Sequence, residues 1–113
     1  MFNLFGGSKT DSSIEQLDVK TFDDMRADAD TVVLDVRTPG EFNEGYVPNA
    51  ILIDINGADF ASKVDELEKD KTYLVYCRSG MRSMRACSLM AGKGFDKLYN
   101  LEGGYIAWSR ENA

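Results

Sequence analysis

The stretch Thr72-Tyr73-Leu74-Val75-Tyr76-Cys77-Arg78-Ser79-Gly80-Met81-Arg82 decides how the rest of the chain is read. Its first five residues are β-branched, aromatic or leucine without polar alternation, the pattern of a strand covered on both faces of a parallel sheet. Cys77 ends that strand, and a short polar loop runs to Gly80. A helix is predicted from about Met81 to Ala91, with Gly92 and Gly94 suited to its C-terminal end. Its inner face is Ser83, Ala86, Cys87 and Met90, recurring at 3, 4 and 7 residues, while Arg82, Arg85, Leu89 and Lys93 fall on another side. The order strand, loop, helix places Cys77 at a strand's carboxyl end, where open parallel sheets gather their ligands.

The same alternation extends in both directions. Upstream, Thr31–Val36 is a second strand of the buried type, ended by Thr38-Pro39-Gly40, with a helical turn over Glu41–Glu44. Ile51–Ile55 is the next strand and Asn56-Gly57 a turn, and Phe60, Val64 and Leu67 mark an amphipathic helix over about 58–69. Nearer the start, Ile14–Leu17 is a weak strand and Asp18 an N-cap for a short helix over 19–27, carrying Val19, Phe22 and Met25. Downstream, Lys97–Asn100 is a final short strand, and Gly103-Gly104 leads into a last helix through Trp108. Strands alternating with helices give an α/β class with a central, mostly parallel sheet of about five strands. No linker or repeat interrupts the chain after Ile14, so residues 14–113 are expected to form one domain, preceded by a flexible arm at 1–13. A chain of 113 residues can bury one modest core.

Composition narrows the function classes. Apolar content of 43% and charged content of 28% are those of a globular protein, and no apolar run approaches the ~20 residues that span a bilayer. The first residues lack the basic and apolar regions of a signal peptide, which predicts a cytoplasmic protein with two reduced thiols and no membrane association. The net charge of −6 argues against a nucleic-acid partner. Charge is unevenly spread: residues 71–97 carry six Lys and Arg against Asp96 alone, a local net of +5 in an acidic chain. That segment suits a small anionic ligand.

The chain has no histidine, which removes Cys-His dyads, Ser-His-Asp triads and His-ligated metals. Its two cysteines, ten residues apart, miss the common zinc spacings, so no metal or cofactor is expected. Cys77 must then be activated by its loop and by fixed positive charge. Loop N–H groups, a helix N-terminus and the guanidiniums of Arg78 and Arg82 all favour thiolate over thiol. Comparable settings lower a thiol pKa from about 8.5 to about 3.5–7.5. Gly80 lets the backbone fold tightly around a bound anion.

Five motifs in order resemble the single-domain rhodaneses over about residues 14–110. They are Leu34-Asp35-Val36-Arg37 with Glu41-Phe42, Gly45-Tyr46-Val47-Pro48-Asn49-Ala50, Val75 through Ser83, Gly94-Phe95, and Leu101-Glu102-Gly103-Gly104-Tyr105-Ile106-Ala107-Trp108. The family often has His and Gly where this chain has Tyr46 and Asn49, in what reads as a tight structural turn. The resemblance implies a three-layer, rhodanese-like fold, with helices on both faces of a parallel sheet, and a persulfide carried on Cys77. Thiosulfate or another small anionic sulfur donor is the expected substrate, with sulfite leaving, and cyanide, a thiol or a protein the acceptor. Substrate contacts are expected from Arg78, Ser79, Gly80, Met81 and Arg82, with Arg78 the one to face solvent. Asp35 and Arg37 are assigned a supporting, structural role, with Arg37 pairing to Glu41 to hold the following turn. Cys87, Tyr105 and Trp108 are read as packing residues, and the protein is expected to act as a monomer.

Two other readings compete. Cysteine-loop phosphatases and arsenate reductases need five residues between cysteine and arginine to surround a tetrahedral oxyanion; here four intervene between Cys77 and Arg82. Non-catalytic binding or regulatory modules on the same fold usually lose the loop cysteine, which this chain keeps. The Cys77-Arg78 pair also departs from the less basic Cys-Gly loop of the mercaptopyruvate branch.

Overall fold

The apolar runs pair into one five-stranded sheet, parallel throughout. The structure, a computed structural model, describes residues 14–113, and the predicted arm at 1–13 lies outside them. In chain order the elements are β1 (Glu15–Leu17), α1 (Val19–Met25), β2 (Thr31–Asp35), α2 (Pro39–Asn43), β3 (Ile51–Leu52), α3 (Phe60–Asp65), β4 (Thr72–Tyr76), α4 (Met81–Ala91), β5 (Lys97–Leu101) and α5 (Gly104–Glu111). The sheet order β1-β5-β4-β2-β3 puts β4, the strand that delivers Cys77, at the centre.

Alternation along β4 divides the core between two faces. Tyr73, Val75 and Cys77 pack with Phe60 and Val64 of α3 and with Ala86, Cys87 and Met90 of α4. Leu74 and Tyr76 point the other way, toward Val19 and Phe22 of α1 and Tyr105 and Trp108 of α5. Helices therefore cover both faces, as the three-layer expectation has it. Each large side chain fully buried here, such as Phe22, Leu74 or Phe95, contributes about 1.5–3 kcal/mol of transfer free energy.

Several boundaries differ from the sequence reading for local reasons. The helical turn after β2 is a capped helix that starts at Pro39. Thr38 Oγ1 accepts from the Glu41 N–H at 3.2 Å, while Glu41 Oε1 accepts from the Thr38 N–H at 3.1 Å, a reciprocal capping box with Pro39 in the first turn. Regular β3 stops at Leu52, short of Ile55; the Ile53 and Ile55 N–H groups still reach the carbonyls of Asp35 and Val36, and the Asp54 carboxylate then takes the Asn56 N–H at 2.9 Å in a turn closed by Gly57. α3 spans only six residues, not the whole of 58–69. Asn49, where the family often has glycine, has φ of 69°, the left-handed region that asparagine tolerates better than most residues.

Helix α5 is tied to α1 from outside the core. Trp108 Nε1 donates to Asp23 Oδ1 at 2.8 Å, Asn112 Nδ2 donates to Asp23 Oδ2 at 3.3 Å, and the Arg26 guanidinium lies 5.8 Å from the Trp108 ring centre. Among the described residues, no helix is long and apolar enough to cross a membrane.

Candidate active site

Cys77 leaves the carboxyl end of β4 with its side chain on the α4 face, 1% exposed. The loop then doubles back, because Gly80 takes φ of 113°, a conformation that side-chain-bearing residues rarely adopt. That turn aims the Gly80 N–H at the Cys77 Sγ, 3.1 Å away. The Ser83 hydroxyl, from the first turn of α4, donates to the same sulfur at 3.3 Å, and the backbone N–H groups of Ser79 and Ser83 add to it. Burial pushes the thiol pKa up, but these four donors outweigh it and hold the pKa below its ordinary value. Sequence reasoning placed Ser83 on the inner face without giving it a part in the site. The available signal was a hydroxyl on an otherwise apolar face, six residues after Cys77.

The loop is held from behind by α5. The N–H groups of Tyr105 and Ile106 donate to the carbonyls of Cys77 (2.8 Å) and Arg78 (3.1 Å), so the α5 N-terminus grips the loop by its backbone. Gly104 makes this approach possible: a Cβ there would stand 2.5 Å from the Arg78 carbonyl and 2.6 Å from the Cys77 oxygen. A second support comes from β5, where buried Asn100 donates through Nδ2 to the Gly80 carbonyl at 3.3 Å and to Gln16 Oε1 at 2.9 Å.

The arginines sort differently from expectation. Arg37 does not pair with Glu41. Its guanidinium forks onto Asp35, with Nη2 to Oδ2 at 2.7 Å and Nε to Oδ1 at 3.0 Å, and Nη2 also reaches the Gly45 carbonyl at 2.7 Å. Two residues apart at the end of β2, both side chains turn into the same buried pocket; Asp35 is 0% and Arg37 3% exposed. Tyr76 completes the network. Its hydroxyl donates to Asp35 Oδ2 at 2.6 Å and accepts from the Val47 N–H at 3.1 Å, and burial with the Asp35 bond pushes its pKa well up. Tyr105 covers Arg37 from above, its ring centre 4.4 Å from the guanidinium carbon. Asp35 and Arg37 thus brace the turns beneath the site, and neither is aimed at the Cys77 sulfur.

Glu41 instead takes Arg82, from the start of α4, through two bonds of 2.8 and 2.9 Å. This pairing, with partners 41 residues apart, holds the Glu41 carboxyl down at about 2. Arg82 is therefore committed to α2 through both terminal nitrogens. Arg78 is exposed and has no side-chain hydrogen bond or ion pair among the described residues. The Ser79 side chain is also exposed, and Met81, at 81% exposure, stands out in solvent at the rim.

A groove of about 240 Å³ adjoins the loop, lined by Arg78, Glu41, Glu44, Tyr105, Ile106 and Ser109 among others. A larger cavity, about 450 Å³ around Arg26, Thr31, Pro48 and Ile51, includes none of residues 77–82. It holds no nucleophile.

The family model for the rhodanese-like domain matches residues 18–111. The chain belongs to the rhodanese-like family. Rhodanese-like relatives include a sulfurtransferase from Allochromatium vinosum, 35% identical over 86% of this chain and 90% of that protein. YtwF of Bacillus subtilis is 42% identical over 77% of this chain and 82% of that protein. The crystal structure of a rhodanese-related protein from Thermoplasma volcanium superposes with a TM-score of 0.73 at 32% identity, covering 86% of this chain and 92% of that one. The domain also serves larger proteins: a tRNA uridine(34) hydroxylase from Cytophaga hutchinsonii is 37% identical over 86% of this chain, but only 32% of its own length is matched.

Proposed function

We propose that this rhodanese-like domain is a thiosulfate sulfurtransferase that works through a persulfide on Cys77. The observation carrying the reading is the Cys77 Sγ at a strand's carboxyl end, with the Gly80 N–H and the Ser83 hydroxyl both donating to it. In the first half-reaction the Cys77 thiolate attacks the outer sulfur of thiosulfate. A bond forms between the two sulfurs, the bond to the sulfonate sulfur breaks, and its electron pair leaves with sulfite. Donors already fixed around the Cys77 sulfur hold it in the thiolate form that attacks, and they receive the charge again when the thiolate is regenerated. Arg82 is held by Glu41, so Arg78 is the cation available to the departing sulfite. In the second half-reaction a nucleophile takes the terminal sulfur, and the electron pair of the broken bond returns to Cys77.

The acceptor on this reading is cyanide in an assay and a thiol or protein in the cell. The domain acts as a monomer in the cytoplasm, where reduced thiols are available, with neither nucleic acid nor membrane as partner. The test is intact mass after incubation with thiosulfate. A gain of about 32 Da that is removed by cyanide and absent from Cys77→Ala is the expected result. No gain with thiosulfate or glutathione persulfide would sink the reading and leave a binding module.

A further inference from the structure

The groove beside the loop has a charge arrangement of which sulfur uptake uses only Arg78. Around it, the buried or half-buried charges are already matched: Arg37 by Asp35 and Arg82 by Glu41. Two charges are left over. Arg78 on the loop and Glu44 at the end of α2 both line the groove and are exposed, and neither has an ionic partner among the described residues. One is a cation and the other an anion, on separate elements. To the same groove α5 supplies a mixed wall of Tyr105, Ile106 and Ser109, with Ile106 38% exposed. The volume of about 240 Å³ falls below the ~300–1,000 Å³ typical of pockets for drug-sized ligands, so the occupant is small.

We propose that this groove is the acceptor subsite, and that it selects a small thiol bearing both an ammonium and a carboxylate, of the cysteine type. The proposal rests on the Cys77 persulfide reading. The acceptor carboxylate lies on Arg78, next in sequence to Cys77, which brings its thiol to the mouth of the loop. Its ammonium is received by Glu44. A purely anionic thiol gains the first contact and is repelled by Glu44, while a purely cationic one gains the second and is repelled by Arg78. Because sulfite has left before the acceptor binds, Arg78 can serve both half-reactions in turn. The transfer step is balanced: the acceptor thiolate attacks the terminal sulfur of the protonated Cys77 persulfide, the sulfur–sulfur bond breaks, and its electron pair remains on the Cys77 sulfur. The products are the acceptor persulfide and the Cys77 thiolate, with no external oxidant or reductant.

The experiment measures kcat/KM for three acceptors with saturating thiosulfate: cysteine, 3-mercaptopropionate (no ammonium) and cysteamine (no carboxylate). Ratios between acceptors within one variant cancel the donor half-reaction and the reactivity of Cys77. Glu44→Gln should lower the ratio of cysteine to 3-mercaptopropionate by about fivefold, and Arg78→Gln the ratio of cysteine to cysteamine by a similar factor. Both ratios staying within about 1.5-fold of wild type would overturn the subsite. A change in only one would overturn the requirement for both charges. Failure of the underlying sulfurtransferase reading is seen separately, as absence of the mass gain on the wild-type protein before any acceptor is added.

Discussion

Removing the Ser83 hydroxyl would leave the Cys77 sulfur just as buried but with one donor fewer. The thiolate is the reacting form, so activity lies above the thiol pKa and is lost as pH falls through it. Ser83→Ala raises that pKa, and the acid limb of the pH profile for sulfur uptake should move to higher pH. A hydrogen bond to a charged group is worth about 1.5–3 kcal/mol, so uptake near neutral pH should drop about tenfold and recover in alkaline buffer. A drop independent of pH would mean that Ser83 acts through packing alone. At this scale the sequence is most legible where partners are close along the chain. Cys77 and Gly80 announce themselves, because strand end, loop and helix start are contiguous. The Glu41–Arg82 pair does not, since its partners meet only when α2 and α4 come together. A guess from spacing alone gave Glu41 to Arg37, which the end of β2 turns toward Asp35.

Elements place that chemistry, and two glycines show how differently a helix end can matter. Gly80 has room for a methyl group, its nearest neighbours standing 3.7 Å from an added Cβ, but its φ of 113° is strained for alanine. Gly80→Ala should therefore lower stability by about 1–3 kcal/mol through the backbone alone. Gly104→Ala adds a collision with the Cys77 and Arg78 backbone to a φ of 59°. Its destabilisation in urea should exceed that of Gly80→Ala, and sulfur uptake by the protein that remains folded should fall as the loop is displaced. Equal effects of the two on uptake per folded molecule would argue against α5 as the loop's clamp. Strands and long helices were readable from periodicity, because burial selects the apolar positions directly. The starts and stops were less so. α2 begins at a capping box whose Thr38 reads in sequence as the end of a strand and whose Glu41 reads as the start of a helical turn, and β3 gives way to the Asp54 turn sooner than its apolar run suggests. The clamp at Gly104 was unreadable, because it depends on which helix end lies behind the loop.

For the molecule as a whole, two carboxylates link stability to pH. Glu41, ordinarily near 4.5, is lowered to about 2, mainly by Arg82. Asp23 lies below its usual 3.8: burial opposes the shift, and the bonds from Arg26, Trp108 and Asn112 overcome it. Both folded values are depressed, so the stabilisation is complete above about pH 4.5 and disappears as pH falls toward 2. Glu41→Gln should lower stability at pH 7 by about 1–2 kcal/mol and flatten its fall between pH 4.5 and 2, as followed by urea denaturation at each pH. The parallel sheet has one more consequence, concerning time. Among the described residues β1 pairs only with β5, and the loop is held by the N–H groups of residues 105 and 106 together with the Asn100 amide. A nascent chain that has synthesised everything through Glu102 thus holds the donors to Cys77 on a loop without its α5 backing, and a chain truncated there should take up sulfur from thiosulfate more slowly than the whole one. The backing of the loop is thus synthesised well after the loop itself, so the nucleophile reaches full reactivity only once α5 has been made.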